Sequence, residues 1–143
     1  ITRVATTSQE INWTATTSRR SPKATSTEIA AIKADNLTVV PVKDTDEDWL
    51  PSQMATASYV WVTEDSVSMI YEALSSGAKV GVLPVPRKGG SSRVIRGVDL
   101  LIQQGQVFPY NANRCDLSAF KEPEAINEAA RIAQIVAQKF LAP

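Results

Sequence analysis

Short runs of β-branched and aliphatic residues alternate with stretches of helical period along nearly the whole chain, and no other feature narrows the fold as much. The runs are residues 11–16, 37–42, 59–62 and 79–83, with a brief fifth near Val107 and Phe108. Residues 37–42 are nearly continuously apolar, and 59–62 have the aromatic and β-branched make-up of a short strand buried on both faces. Between the runs, the spacing predicts a helix over 26–34, capped by Ser or Thr, with Ile29 and Ile32 facing inward. A second covers 49–57, started near Pro51, and a third runs from Asp65 or Ser66 to Ser76, with Gly77 as its left-handed stop. Residues 93–104 predict a fourth, with Val94, Val98 and Leu101 on one face and Gly105 closing it. Pro123 opens a last helix, on which Ile126, Ala129, Ala133, Val136 and Phe140 form an apolar stripe. Strands that alternate with helices make βαβ units. The expected fold is therefore α/β: a doubly wound, mainly parallel sheet with helices on both faces. A chain of 143 residues suits one domain over 1–143.

What the chain lacks restricts its chemistry. It has no histidine, which removes Ser-His-Asp and Cys-His catalysis and the usual zinc sites, so no metal is expected. Fifteen basic residues balance fifteen acidic ones, leaving no global positive field to hold nucleic acid. The single cysteine, Cys115, cannot form an internal disulfide and suits a reducing compartment, the cytoplasm or its membrane surface. No stretch of roughly 20 apolar residues encodes a membrane span, and residues 1–10 are too polar for a signal peptide. A first residue other than methionine predicts that the chain is part of a longer protein.

The segment from Thr63 to Glu72 follows the third expected strand and enters a helix, the position at which open parallel sheets bind ligands. A helix N-terminus there offers unpaired N–H groups and partial positive charge to a phosphate. Asp65, Ser68 and Glu72 stand at i, i+3 and i+7 and share a face; Ser66 and Ser68 supply hydroxyls, and Glu72 can chelate two ribose hydroxyls. The same residues also read as a plain helix, capped by Asp65, with Ser68 and Glu72 facing water while Val67, Ile70 and Leu74 pack. A second loop, Thr16-Thr17-Ser18-Arg19-Arg20, follows the first strand, and its hydroxyls and two guanidinium forks suit a diphosphate clamp or a solvated turn. The basic segment 87–93, with Arg96 one turn on, reads as a solvated loop or a further anion site and lacks the Walker pattern. Asp44, Asp46, Glu47 and Asp48 read as a polar loop rather than a magnesium site, and Cys115, Trp49 and Trp61 as structural.

Residues 17–22 together with Val62 to Ala73 resemble the signature of the mitochondrial fission "elongated mitochondria" family, which has many bacterial members. The resemblance spans most of the chain, in two separate motifs in the right order. It implies the Rossmann-like carboxyl-terminal half of a two-domain, GT-B-type glycosyltransferase, the half that binds the nucleotide sugar, with the acceptor bound by an amino-terminal half. The second motif is also similar to the donor site of MurG-like glycosyltransferases, where Glu72 matches the ribose-binding glutamate and 66–68 the turn beside the diphosphate. The Gly-Gly pair of that turn is missing here.

The expected function is nucleotide-sugar binding. Ser18 and Arg19 with the Ser66 and Ser68 region hold the diphosphate and Glu72 the ribose, Arg20 and Asp65 belong to the same two binding loops, and residues 39–42 border the base. The nucleotide sugar would be a substrate, no cofactor is implied, and no catalytic residue is assigned, a general base belonging to the other half. The mechanism would be donor positioning and neutralisation of the leaving diphosphate. The rival reading is a non-catalytic interaction module that keeps the fold. An epimerase or reductase is disfavoured, because neither Gly-x-Gly-x-x-Gly nor Tyr-x-x-x-Lys occurs.

Overall fold

The computed structural model describes residues 1–86, 93–112, 117, 120 and 133–141. Its elements run α1 (Thr2–Thr7), β1 (Trp13–Thr16), α2 (Lys23–Ala30), β2 (Leu37–Val40), α3 (Trp49–Thr56), β3 (Tyr59–Thr63), α4 (Val67–Ser75), β4 (Lys79–Leu83), α5 (Arg93–Gln103) and β5 (Val107–Pro109). The fold is α/β and Rossmann-like, and every strand pair among the described residues is parallel. The strands are hydrogen-bonded in two sheets, β1-β2 and β3-β4-β5. The chain accordingly divides into two compact units, Ile1–Gln53 with Tyr110–Ala119, and Met54–Pro109 with Phe120–Pro143.

In the first unit, β1 and β2 pair from Trp13↔Leu37 to Thr16↔Val40. The helix α1 carries no sequence signal, because six residues are too few to show a period, yet it buries Val4 and Ala5. Its end is held by Asn36, whose two Nδ2 hydrogens are shared among the carbonyls of Ala5 (2.9 Å), Ser8 (3.1 Å) and Ile11 (2.9 Å). The Asn36 carbonyl in turn accepts from the Trp13 amide at 2.7 Å. Ile11 is engaged in this clasp, so the strand begins at Trp13 instead of Ile11. The expected 26–34 helix starts earlier, at Lys23, and its N-cap is Pro22 with no side-chain cap. Proline's fixed φ presets the helix entry, and Ser26 donates to the Pro22 carbonyl at 3.0 Å. Ile29 and Ile32 are half-buried, and no residue of α2 is fully buried. The strand expected over 37–42 stops at Val40. Pro41 lacks the N–H that would continue the ladder, and Val42–Asp44 turns as a 3-10 helix instead.

In the second unit, β4 lies between β3 and β5. The register aligns Val60 and Val62 with Val80 and Val82, and Val80 with Val107, so these valines share one face of the sheet. The two crossovers step the same way across the sheet, and common right-handedness seats α4 and α5 on that face. Ile70, Ala73 and Leu74 of α4 and Val98 and Leu101 of α5 are all buried, at i, i+3 and i+4 spacing. Both helices close on glycines with positive φ, Gly77 at 83° and Gly105 at 70°, as the sequence predicts. At Gly105 the closure is a Schellman motif: Gln106 donates to Leu101 at 2.9 Å and Gly105 to Ile102 at 3.0 Å.

The opposite face is aromatic. Trp61, Gly81 and Phe108 form one row across the three strands. The glycine leaves room above itself for the Trp61 ring, which any Cβ at Gly81 would strike. Phe120 packs over the row, 5.4 Å edge-on to both Tyr59 and Trp61 and 4.7 Å from Phe108. Trp61 is thus structural, as expected. The described part of the expected last helix is helical, over 133–136 and then as a π-helix over Ala137–Leu141, but its apolar stripe is not covered at the described positions. Ala133 and Val136 are exposed, Val136 by 44%; period reports an apolar face, not a partner for it. Pro123, Ile126 and Ala129 lie outside the described residues.

Candidate functional site

The carboxyl end of β3 leads directly into α4. Ser66 donates from its backbone to Thr63 at 2.9 Å, closing a tight turn, and Ile70 makes the first helical bond, to the Ser66 carbonyl at 3.1 Å. The amides of Val67, Ser68 and Met69 precede that ladder, as the leading N–H groups of any helix do. Ser66 occupies the N-cap position, but neither it nor Asp65 caps through its side chain. This corrects the expected cap: the Ser66 hydroxyl lies 3.4 Å from that of Thr63 instead. A second correction concerns the shared face. The helix starts at Val67, so Asp65 precedes it and the helical face reduces to Ser68 and Glu72, one turn apart. Both are exposed, as is Asp65, while Ser66 is half-buried. The opposite side of α4 carries Ile70, Ala73 and Leu74, buried under the sheet, and this fixes which way Ser68 and Glu72 point.

One residue of this turn escaped the sequence reading. The Glu64 carboxylate accepts the Val85 amide at 3.2 Å, and the Glu64 amide donates to the Leu83 carbonyl at 3.0 Å. Glu64 thereby extends the β3–β4 ladder by one step and ties the exit of β4 to the turn before α4. The only available signal was a pair of prolines, Pro84 and Pro86, around a single residue with an N–H.

In the first unit, residues 18–21 form a closed turn. The Ser18 amide donates to Ser21 Oγ at 2.9 Å, Ser21 donates to the Ser18 carbonyl at 3.0 Å, and the Arg20 amide donates to Ser18 Oγ at 3.2 Å. The amides of Ser18, Arg20 and Ser21 are satisfied inside the turn, so anion binding here would rest on guanidinium groups. Ser18, Arg19 and Arg20 are all exposed. This loop follows a strand of the two-stranded sheet and the Thr63–Glu72 segment a strand of the three-stranded one.

The other motifs add little. Residues 87–92 and Cys115 lie outside the described residues, and Arg96 is exposed. Among the described residues, no group of three or more His, Cys, Asp or Glu side chains could hold a metal ion. No described helix is long and apolar enough to cross a membrane.

Comparison with known proteins returns one positive finding. The family model for mitochondrial fission ELM1 matches residues 1–140, nearly the whole chain. No curated protein and no solved structure matches.

Proposed function

This chain belongs to the mitochondrial fission ELM1 family, and on that premise we propose that it binds a nucleoside diphosphate sugar at the tip of α4, as the donor-binding part of a glycosyltransferase-like protein. The observation that carries the reading is the tip itself. It sits at the carboxyl end of β3, and no side-chain cap occupies its leading amides. Those amides and the helix dipole favour a diphosphate, to which the Ser66 and Ser68 hydroxyls can donate. Glu72 stands one turn beyond Ser68, about 6 Å along the axis, and accepts hydrogen bonds from the ribose hydroxyls. The chemistry this arrangement performs is electrostatic. Charge that grows on a leaving diphosphate meets N–H groups already aimed at it, and no nucleophile in the chain is required. In the other unit, Arg19 and Arg20 make a second candidate anion-binding loop in their own right, tested separately by an Arg19→Ala/Arg20→Ala double variant.

Calorimetry with UDP, GDP and their sugars on the full-length protein tests the proposal. Binding of at least one is expected; no heat with any of them removes it. The rival reading, a non-catalytic interaction module, draws on the exposed Tyr71 of α4 and Leu100 of α5, 41% and 52% accessible. A protein that binds no nucleotide and captures its partner equally well with Glu72→Ala is the module.

A further inference from the structure

The exit of β4 runs Pro84-Val85-Pro86, so Val85 carries the only backbone N–H in that tripeptide. That N–H is given to the Glu64 carboxylate at 3.2 Å. Proline nitrogens cannot supply a substitute donor, so the segment has no second backbone amide with which to hold itself against the turn before α4. On the other side, Glu64 is anchored by its own amide, which donates to the Leu83 carbonyl at 3.0 Å. Its backbone is therefore registered to β4 while its side chain reaches one step further along the same strand's exit. The two prolines also stiffen the segment, because each fixes its own φ and biases the residue before it to extended geometry. One carboxylate thus sets the position of a stiff piece of chain relative to the α4 tip.

We infer that Glu64 is a positioning residue for the α4 tip. Through Val85 it holds the β4 exit against the turn that leads into α4, so that an anion at the tip meets a turn already fixed in place. The inference rests on the proposed binding of a nucleoside diphosphate there. Glu64 touches no ligand in this account; its effect passes through the Val85 amide. A turn fixed in advance spares the ligand the ordering of Pro84-Val85-Pro86, so losing the tie weakens binding without unfolding the unit.

The test compares wild type, Glu64→Ala and Glu64→Gln in the full-length protein, with UDP and GDP as probes. Glutamine keeps an oxygen that can accept from Val85; alanine does not. Glu64→Ala is expected to speed hydrogen exchange at the Val85 amide at least tenfold and to weaken nucleotide binding about tenfold, with the melting temperature nearly unchanged. Glu64→Gln is expected to restore most of both. A wild type that binds UDP or GDP, with Glu64→Ala binding equally well or exchanging Val85 no faster, overturns this inference alone. Loss of binding in Glu64→Ala that merely tracks a fall in melting temperature, or that glutamine fails to rescue, overturns it too. A wild type that binds neither nucleotide overturns it together with the proposed function.

Discussion

Ile70, Leu74, Val80 and Val98 of the three-stranded unit are buried almost completely, whereas in the two-stranded unit only Val4, Ala5 and Ser8 are buried among the described residues. The first is organised by apolar area: valines of the sheet on one side against two amphipathic helices, and the row Trp61, Gly81 and Phe108 packed by Phe120 on the other. The second is organised by polar ties, chiefly the Asn36 amide spanning three carbonyls. Burying a large aliphatic side chain contributes about 1.5–3 kcal/mol, against roughly 0.5–1.5 kcal/mol for a typical hydrogen bond. The two candidate loops therefore stand on supports of unequal stiffness. The α4 tip is held by a packed helix whose polar face is left over for chemistry. The Ser18–Ser21 turn follows a strand with no fully buried residue and closes on its own hydroxyls. Precise binding is easier to build on the first kind of support.

Substitutions can break or sharpen this contrast. The largest effect is expected from Leu74→Ala, which leaves a cavity under the sheet and costs about 2–5 kcal/mol in urea unfolding; a loss below 1 kcal/mol would erase the contrast. Glu72→Ala, on the exposed face of the same helix, should leave stability within about 0.5 kcal/mol. Its expected effect is on nucleotide affinity, which should fall by about 1.5–3 kcal/mol, the range for hydrogen bonds to a charged group. In the polar unit, Asn36→Ala should cost about 1–3 kcal/mol by orphaning carbonyls, and should release the α1 amides to faster exchange before those of β4. The smallest effect is expected from Gly105→Ala, about 1–2 kcal/mol, because alanine must adopt the left-handed conformation that closes α5.

Period and turn chemistry make α4 and α5 of the second unit legible. Val98 and Leu101 recur at a spacing that admits only a helix face, and Gly77 and Gly105 stand where a helix must reverse, so these elements were visible before any coordinates. The first unit was harder because its organising groups are not periodic. Asn36 is a single polar residue in a polar stretch, and nothing local says that its amide will serve residues 25 to 31 positions away. Pro22 is hard to read as a helix start because the serines and threonines around it offer more familiar caps. At the candidate site the helix tip and Glu72 were legible from their place after a strand. The side-chain cap failed because Ser66 met Thr63 across the turn, a contact that depends on turn geometry rather than on residue type. Glu64 was hidden for a similar reason: its partner lies 21 residues on, past a whole helix and strand.

Amide chemical shifts of the full-length, isotope-labelled protein, followed while UDP and GDP are titrated in, address the tip directly. The account predicts that one of these nucleotides moves the Val67, Ser68 and Met69 resonances together, saturably, and that Glu72→Ala weakens the response. Saturating shifts confined to other residues, with those three amides unmoved, would contradict it.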